Sequence, residues 1–178
     1  MATSLSKAED RRIALLDRLA DHVLTHGLSA SSLRPLAKAA GTSDRMLLYY
    51  FPDKGAVIAA VLGVVAARLV ALLETQKSPE PLPYAALKPE LIRILFADDI
   101  WPYMRLWLEM ASLAALGDPV FRVVGEQLGR GFYAWGLGQL DSADEATREV
   151  EAAKLLVAIE GTLLLRSVGL SDVAARAV

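Results

Sequence analysis

The side chains typed and spaced for chemistry in this chain suit the holding of a polyanion better than the making or breaking of bonds. Between Gly27 and Lys54, the run GLSASSLRPLAKAAGTSDRMLLYYFPDK gathers Ser32, Arg34, Ser43, Asp44, Arg45, Met46, Tyr49, Tyr50 and Lys54 around a Gly41-Thr42-Ser43 turn. Guanidinium, ammonium and hydroxyl donors of this kind meet phosphate oxygens and base edges. Other candidates are weaker. His22 and His26 have the i, i+4 spacing of a metal-binding pair, but no third ligand is in view, and an imidazolium near a helix C-terminus suits the helix dipole without a metal. Asp98 and Asp99 are adjacent carboxylates that a helix cap explains. The sequence has no cysteine, no phosphate-binding glycine loop and no nucleophile elbow, so we expect no enzyme and no cofactor.

Two short helices must position the donors. Ser31 or Ser32 can cap the first, Pro35 is tolerated in its first turn, and Leu33, Leu36, Ala37 and Ala40 share a face. Gly41 can take the left-handed conformation that stops it. Thr42 or Ser43 then caps a second helix, with Leu47, Leu48 and Phe51 expected to point inward. Pro52 ends that helix and Asp53 caps the next. An opening helix over about Lys7–His26 braces the pair through Ile13, Leu16, Ala20, Val23 and Leu24. Three helices arranged so form a helix-turn-helix unit, which places one helix in the DNA major groove.

The same residues resemble the TetR family of transcriptional repressors. Gly41-Thr42-Ser43 is similar to that family's Gly-Val-Ser turn, and Leu47, Leu48, Tyr49, Tyr50 and Phe51, with Lys54 beyond the break, to its recognition-helix ending. Gly27, Ser32 and Leu33-Arg34-Pro35-Leu36-Ala37 match upstream. Leu48 departs from the pattern, standing where the family usually has a phosphate-binding Tyr. The resemblance implies a homodimer that binds a palindromic double-stranded DNA operator and is released by a small-molecule effector. It implies that Arg45 and Tyr49 reach base edges, while Ser32, Arg34, Tyr50 and Lys54 hold phosphates.

The fold class expected is all-α, eight or nine helices, with a helix-turn-helix domain over residues 1–54 and a helical ligand-binding and dimerisation domain over 55–178. Charge follows that division: residues 1–54 hold 8 Lys and Arg against 6 Asp and Glu, and residues 55–178 hold 11 against 15, giving the overall −2. Gly55–Leu73 is almost long enough to span a membrane, but Arg68 interrupts it and a buried helix is the expected role. Neither a signal peptide nor a strand pattern is legible, and the protein is expected in the cytoplasm, away from any membrane. Later helices are expected over about 84–97, with Pro89 interrupting or starting part of it, then 101–116, 119–140 and 145–168.

In the second half, Leu106-Trp107-Leu108-Glu109-Met110-Ala111 and the run ending Ile159-Glu160-Gly161 also resemble TetR-family helices. Phe96, Trp101, Met104, Trp107, Leu108, Met110 and Ala111 are candidates for an apolar effector pocket. Glu109 and Glu160, isolated acids in apolar runs, are its candidate polar anchors, or partners of Arg105 and Arg166. The helices 119–140 and 145–168 are apolar enough to need a second neighbour, and Phe121, Val124, Leu128, Phe132, Ala153, Leu156, Val157, Gly161 and Leu164 are the candidate dimer interface. A protein of the same fold that binds a small molecule or partner and no longer touches DNA is the alternative reading.

Overall fold

A computed structural model describes residues 7–28 and 32–177. Those residues form nine helices: α1 (Lys7–His26), α2 (Leu33–Ala39), α3 (Asp44–Tyr50), α4 (Lys54–Gln76), α5 (Tyr84–Leu95), α6 (Trp101–Ala115), α7 (Pro119–Leu137), α8 (Glu145–Ser167) and α9 (Ser171–Ala175). Among the described residues the pairing of extended segments is confined to one isolated bridge between Leu82 and Leu140. The fold is all-α, as the sequence implies.

Two compact units make up the chain, one of residues 1–69 and 105–125, the other of 70–104 and 126–178. Compactness therefore does not divide the chain at residue 54, because α4, α6 and α7 each begin in one unit and end in the other. The first unit buries Leu19, Ala20 and Val23 of α1, Leu36 of α2, Leu47 of α3 and Val57, Val61 and Leu62 of α4. The second buries Leu91, Ile94 and Ile100 with Leu155 and Leu163 of α8.

Local chemistry sets the helix ends. Gly41 lies at φ +66, and behind it the Thr42 N–H donates to Ala37 O at 2.9 Å and the Gly41 N–H to Lys38 O at 3.1 Å, which together satisfy the last carbonyls of α2. Ser43 Oγ accepts from the Met46 N–H at 3.3 Å, Asp53 Oδ1 from the Ala56 N–H at 2.8 Å, and Asp144 Oδ1 from the Thr147 N–H at 2.8 Å. Ser32 stands at the N-cap of α2 but makes no side-chain cap bond; Ser31 lies outside the described residues. Three other expectations are corrected. α5 runs unbroken through Pro89, where the carbonyl left without its amide partner belongs to the exposed Ala85 and can meet water. Neither Asp98 nor Asp99 caps α6: the Ile100 and Trp101 amides turn back to Ala97 O at 3.1 and 2.9 Å, and Asp99 accepts from Gln76 Nε2 at 3.4 Å. Leu48 does not point inward and is 44% exposed, because Leu47 and Phe51 already occupy the inner face of α3.

Among the described residues one helix, α4, is long and apolar enough to cross a membrane by length and composition. Its Val57, Ile58, Val61, Leu62, Val65 and Leu69 are instead buried by protein in the first unit. Arg68 leaves the helix toward α1, donating to Asp21 Oδ1 at 2.7 Å and Asp17 Oδ1 at 2.9 Å.

Candidate nucleic-acid interface

With Leu47 and Phe51 buried, the remaining face of α3 is turned outward. Asp44, Arg45 and Met46 are exposed, and Tyr49 is 74% exposed. Tyr50 is half-buried and meets Tyr49 edge to face, the ring centroids 5.2 Å apart. Ser32 and Arg34 of α2, Ser43 in the turn and Lys54 at the start of α4 are exposed as well. Every one of the nine candidate residues thus has at least part of its surface open. Arg34, Arg45, the two tyrosine hydroxyls and Lys54 supply donors for phosphate and base oxygens. At Leu48 a methyl-bearing side chain takes the place of a hydroxyl.

Sequence reasoning missed the part that α1 plays. Arg12 lies over the Phe51 ring at 5.2 Å, and Arg18 Nη1 donates to Ala40 O at 2.9 Å, so α1 grips the end of α3 and the end of α2. Arg11 and Arg18 line a shallow cleft with Gly41, Thr42, Met46 and Tyr50. Their i, i+7 spacing, two full turns on one face, was the available signal. Gly41 is needed here twice, since a Cβ on it would come 3.2 Å from Arg18 Nη1 in addition to opposing the positive φ.

The candidate effector residues are divided. Phe96 and Met104 are buried and Trp101 half-buried in the second unit, where the Phe96 and Trp101 centroids are 6.3 Å apart. Arg166, expected as a partner for an acid, lies over Phe96 at 4.5 Å and over Trp101 at 5.8 Å. Trp107, Leu108, Glu109, Met110 and Ala111 belong to the first unit; Met110 is buried, Ala111 exposed and the others half-buried. Glu109 acts as a structural brace, since its Oε2 accepts from the Leu28 N–H at 2.8 Å, just beyond Gly27 at φ +78. One turn earlier on α6, Arg105 Nη2 donates to Leu24 O and Thr25 O at 2.7 and 3.2 Å. Together they satisfy two of the last carbonyls of α1 and the second amide after it. Glu160 is half-buried on α8.

Of the candidate dimer residues, Phe121 and Val124 are already buried within the first unit, and Leu128, Phe132 and Leu156 are half-buried. Ala153, Val157, Gly161 and Leu164 are exposed, and Val150 on α8 and Val168 at its C-cap extend the same row. Val157 is 72% exposed. Among the described residues no group of three or more His, Cys, Asp or Glu could hold a metal ion. The His22 and His26 rings stack at 4.5 Å, and burial, then the neighbouring His26, lowers the pKa of His22 below 6.5.

The sequence pattern that defines bacterial regulatory proteins of the tetR family matches residues 16–61, which run from α1 into α4 and include the whole helix-turn-helix. No protein of curated function matches the chain. Solved structures do. A protein assigned as a transcriptional regulator from Streptomyces coelicolor A3(2) is 19% identical, with 93% of this chain and 96% of that one covered and a TM-score of 0.70. A transcriptional-regulator structure from Saccharomonospora viridis in complex with choline is 19% identical over 92% of this chain and 88% of that one, TM-score 0.61. The multidrug binding protein EbrR, complexed with proflavin, is 24% identical over 94% and 99%, TM-score 0.63. These likenesses are of fold. Residues 16–61 thus match the DNA-binding module of the tetR family of bacterial regulatory proteins, on an all-α fold that the chain shares with solved transcriptional regulators.

Proposed function

We propose that the protein is a ligand-responsive repressor that binds a palindromic operator as a homodimer and leaves it when a small, mostly apolar effector binds. Residues 1–54 act as the reading head, and residues 55–178 take the effector and form the dimer. The observation that carries the reading is the outward row on α3, Arg45 and Tyr49, held by the buried Leu47 and Phe51 and by the Ser43 cap. Arg45 and Tyr49 read base edges; Ser32, Arg34, Tyr50 and Lys54 fix the register on phosphates, and Ser43, Asp44 and Met46 border them. Two such helices set about 34 Å apart by a two-fold axis read successive major grooves. The exposed row Val150, Ala153, Val157, Gly161 and Leu164 on α8, continued by Val168 at its C-cap, supports dimerisation, since it recurs every three or four residues and a glycine in its middle admits close approach.

Phe96 and Trp101 offer a shelf on which Arg166 already rests, and a planar or cationic organic molecule can take the same place. The bound choline and proflavin of the two similar structures agree with an effector of that size. Trp101 opens α6, and the same helix carries Arg105 and Glu109, which hold the end of α1. An effector that shifts α6 therefore disturbs the brace of the reading head, provided it binds the two arrangements unequally.

Fluorescence anisotropy against duplex DNA from upstream of the protein's own gene, over a salt series and beside a scrambled duplex, tests this. Tight, salt-sensitive binding that prefers the native sequence is expected. Equal or negligible binding to both supports the second reading, a small-molecule-binding protein of this fold that no longer touches DNA, which the exposed Leu48 favours by removing one phosphate-binding hydroxyl.

A further inference from the structure

We propose that the cleft between α1 and the turn leading into α3 seats a DNA phosphodiester, with Arg11 as its principal donor. The inference rests on the DNA-binding reading above and extends it to a helix outside the helix-turn-helix. The cleft is about 200 Å³, and Arg11, Arg18, Thr42, Met46 and Tyr50 are among its walls. Among the described residues its lining holds two guanidinium groups and no carboxylate. Arg18 is spoken for, because Nη1 donates to Ala40 O at 2.9 Å; its charge remains while its position is fixed. Arg12, next along the helix, lies over the Phe51 ring and within 3.8 Å of Glu9. Arg11 has neither kind of partner among the described residues, and it is exposed.

Of the acids of α1, Asp17 and Asp21 both accept from Arg68 on α4 and Glu9 lies 3.8 Å from Arg12, while the exposed Asp10 is not among the residues that line the cleft. Position favours DNA over a free anion. Met46 and Tyr50, which wall the cleft, belong to the helix that presents Arg45 and Tyr49, so a backbone lying along that helix passes the cleft mouth. There the Tyr50 and Thr42 hydroxyls join Arg11 as donors to phosphate oxygens. A contact of this kind sets register and affinity and carries no sequence information.

Its signature is a change in salt dependence that is the same for every sequence. DNA affinity is measured from low to high salt for the wild type, Arg11→Gln and Arg11→Lys, on the upstream duplex and on its scrambled counterpart, with circular dichroism to show that each variant is folded. Arg11→Gln is expected to weaken binding to both duplexes several-fold and to lower the slope of log K against log salt by about 1, while Arg11→Lys keeps most of that slope. A wild-type slope that Arg11→Gln leaves unchanged overturns the proposal and spares the DNA reading. A loss confined to the native duplex also overturns it, because Arg11 would then read bases. A wild type with no salt-dependent DNA affinity refutes the DNA reading itself, and the phosphate seat with it.

Discussion

Gly27 and Glu109 should be energetically coupled across 82 residues of sequence, and a double-mutant cycle measures the coupling. A Cβ on Gly27 would lie 2.5 Å from Glu109 Oε2, closer than atoms tolerate, and the backbone there has φ +78. Gly27→Ala thus costs about 1–2 kcal/mol for a left-handed L-residue. It also drives the carboxylate off the Leu28 N–H, a charge-assisted bond beside a side chain only 5% exposed. Losing that bond costs about 1.5–3 kcal/mol, so the single variant loses roughly 2.5–5 kcal/mol in all. Glu109→Ala alone forfeits the same bond, at about 1.5–3 kcal/mol. In the double variant the bond can be lost only once, so its total stays near that of Gly27→Ala alone, about 2.5–5 kcal/mol, against about 4–8 kcal/mol for simple addition.

Thermal unfolding followed by circular dichroism reads the difference, each 1 kcal/mol moving Tm by about 2–4 °C in a chain of this length. Additivity of the two losses to within about 0.5 kcal/mol would refute the reasoning, since it would mean that the glycine and the carboxylate do not share one bond. A Glu109→Gln variant that keeps most of the stability would support it, because the amide oxygen can still accept from Leu28.

Arg45→Ala should weaken specific DNA binding by about 1–3 kcal/mol and relax selectivity, which anisotropy on native and scrambled duplexes checks; an equal loss on both would remove Arg45 from base readout. Val157→Glu or Leu164→Glu, each placing a charge on the exposed row of α8, should shift the protein toward monomer in sedimentation velocity and weaken operator binding with it. The His22 ring, titrated by NMR, should show a midpoint below 6.5. Because its folded pKa is depressed, the stability it contributes is full above 6.5 and is lost as pH falls through the folded value, so His22→Gln should flatten that part of the pH–stability curve. The Asp144 carboxylate, held low by its bonds to the Thr147 amide and hydroxyl, acts in the same direction at more acid pH, and Asp144→Ala should lower Tm near neutrality with a difference that shrinks as the carboxylate protonates.

Helix positions were legible because local signals agree with one another. At Gly41 the apolar spacing ends, a residue free to take positive φ follows, and Ser43 can cap what comes next, so the sequence and the structure place the break together. Leu48 misled because an apolar residue in a helix carries no label for its face; only the burial of Leu47 and Phe51 decides that the adjacent position faces water. Glu109 misled for a different reason. An acid in an apolar run must find a partner, but the partner is the backbone amide of Leu28, which a sequence does not display as a donor in need. The charge pairing of α1 was not legible either: Asp17 and Asp21 bind Arg68 of α4, far along the chain, while Arg11 and Arg18 line the cleft.

That rearrangement of charge bears on how the reading head can be switched. The end of α1 is held by three bonds from α6, two from Arg105 and one from Glu109, at 2.7, 3.2 and 2.8 Å. Such bonds weaken steeply with distance and angle, so a displacement of α6 by about 1 Å would lengthen them past useful geometry. Each net bond to a charged group is worth about 1.5–3 kcal/mol, and losing one or two reaches the 1–3 kcal/mol typical of coupling between two sites. On the proposed function, a clasp of that size could transmit an effector's preference and be overcome by one. If α6 transmits the signal, Arg105→Met and Glu109→Ala should each reduce the ratio of DNA affinities without and with effector, leaving effector affinity for the DNA-free protein within about two-fold. Variants that unfold more easily but keep that ratio would confine the clasp to a structural role and send the search for the coupling to α4, where Arg68 holds Asp17 and Asp21.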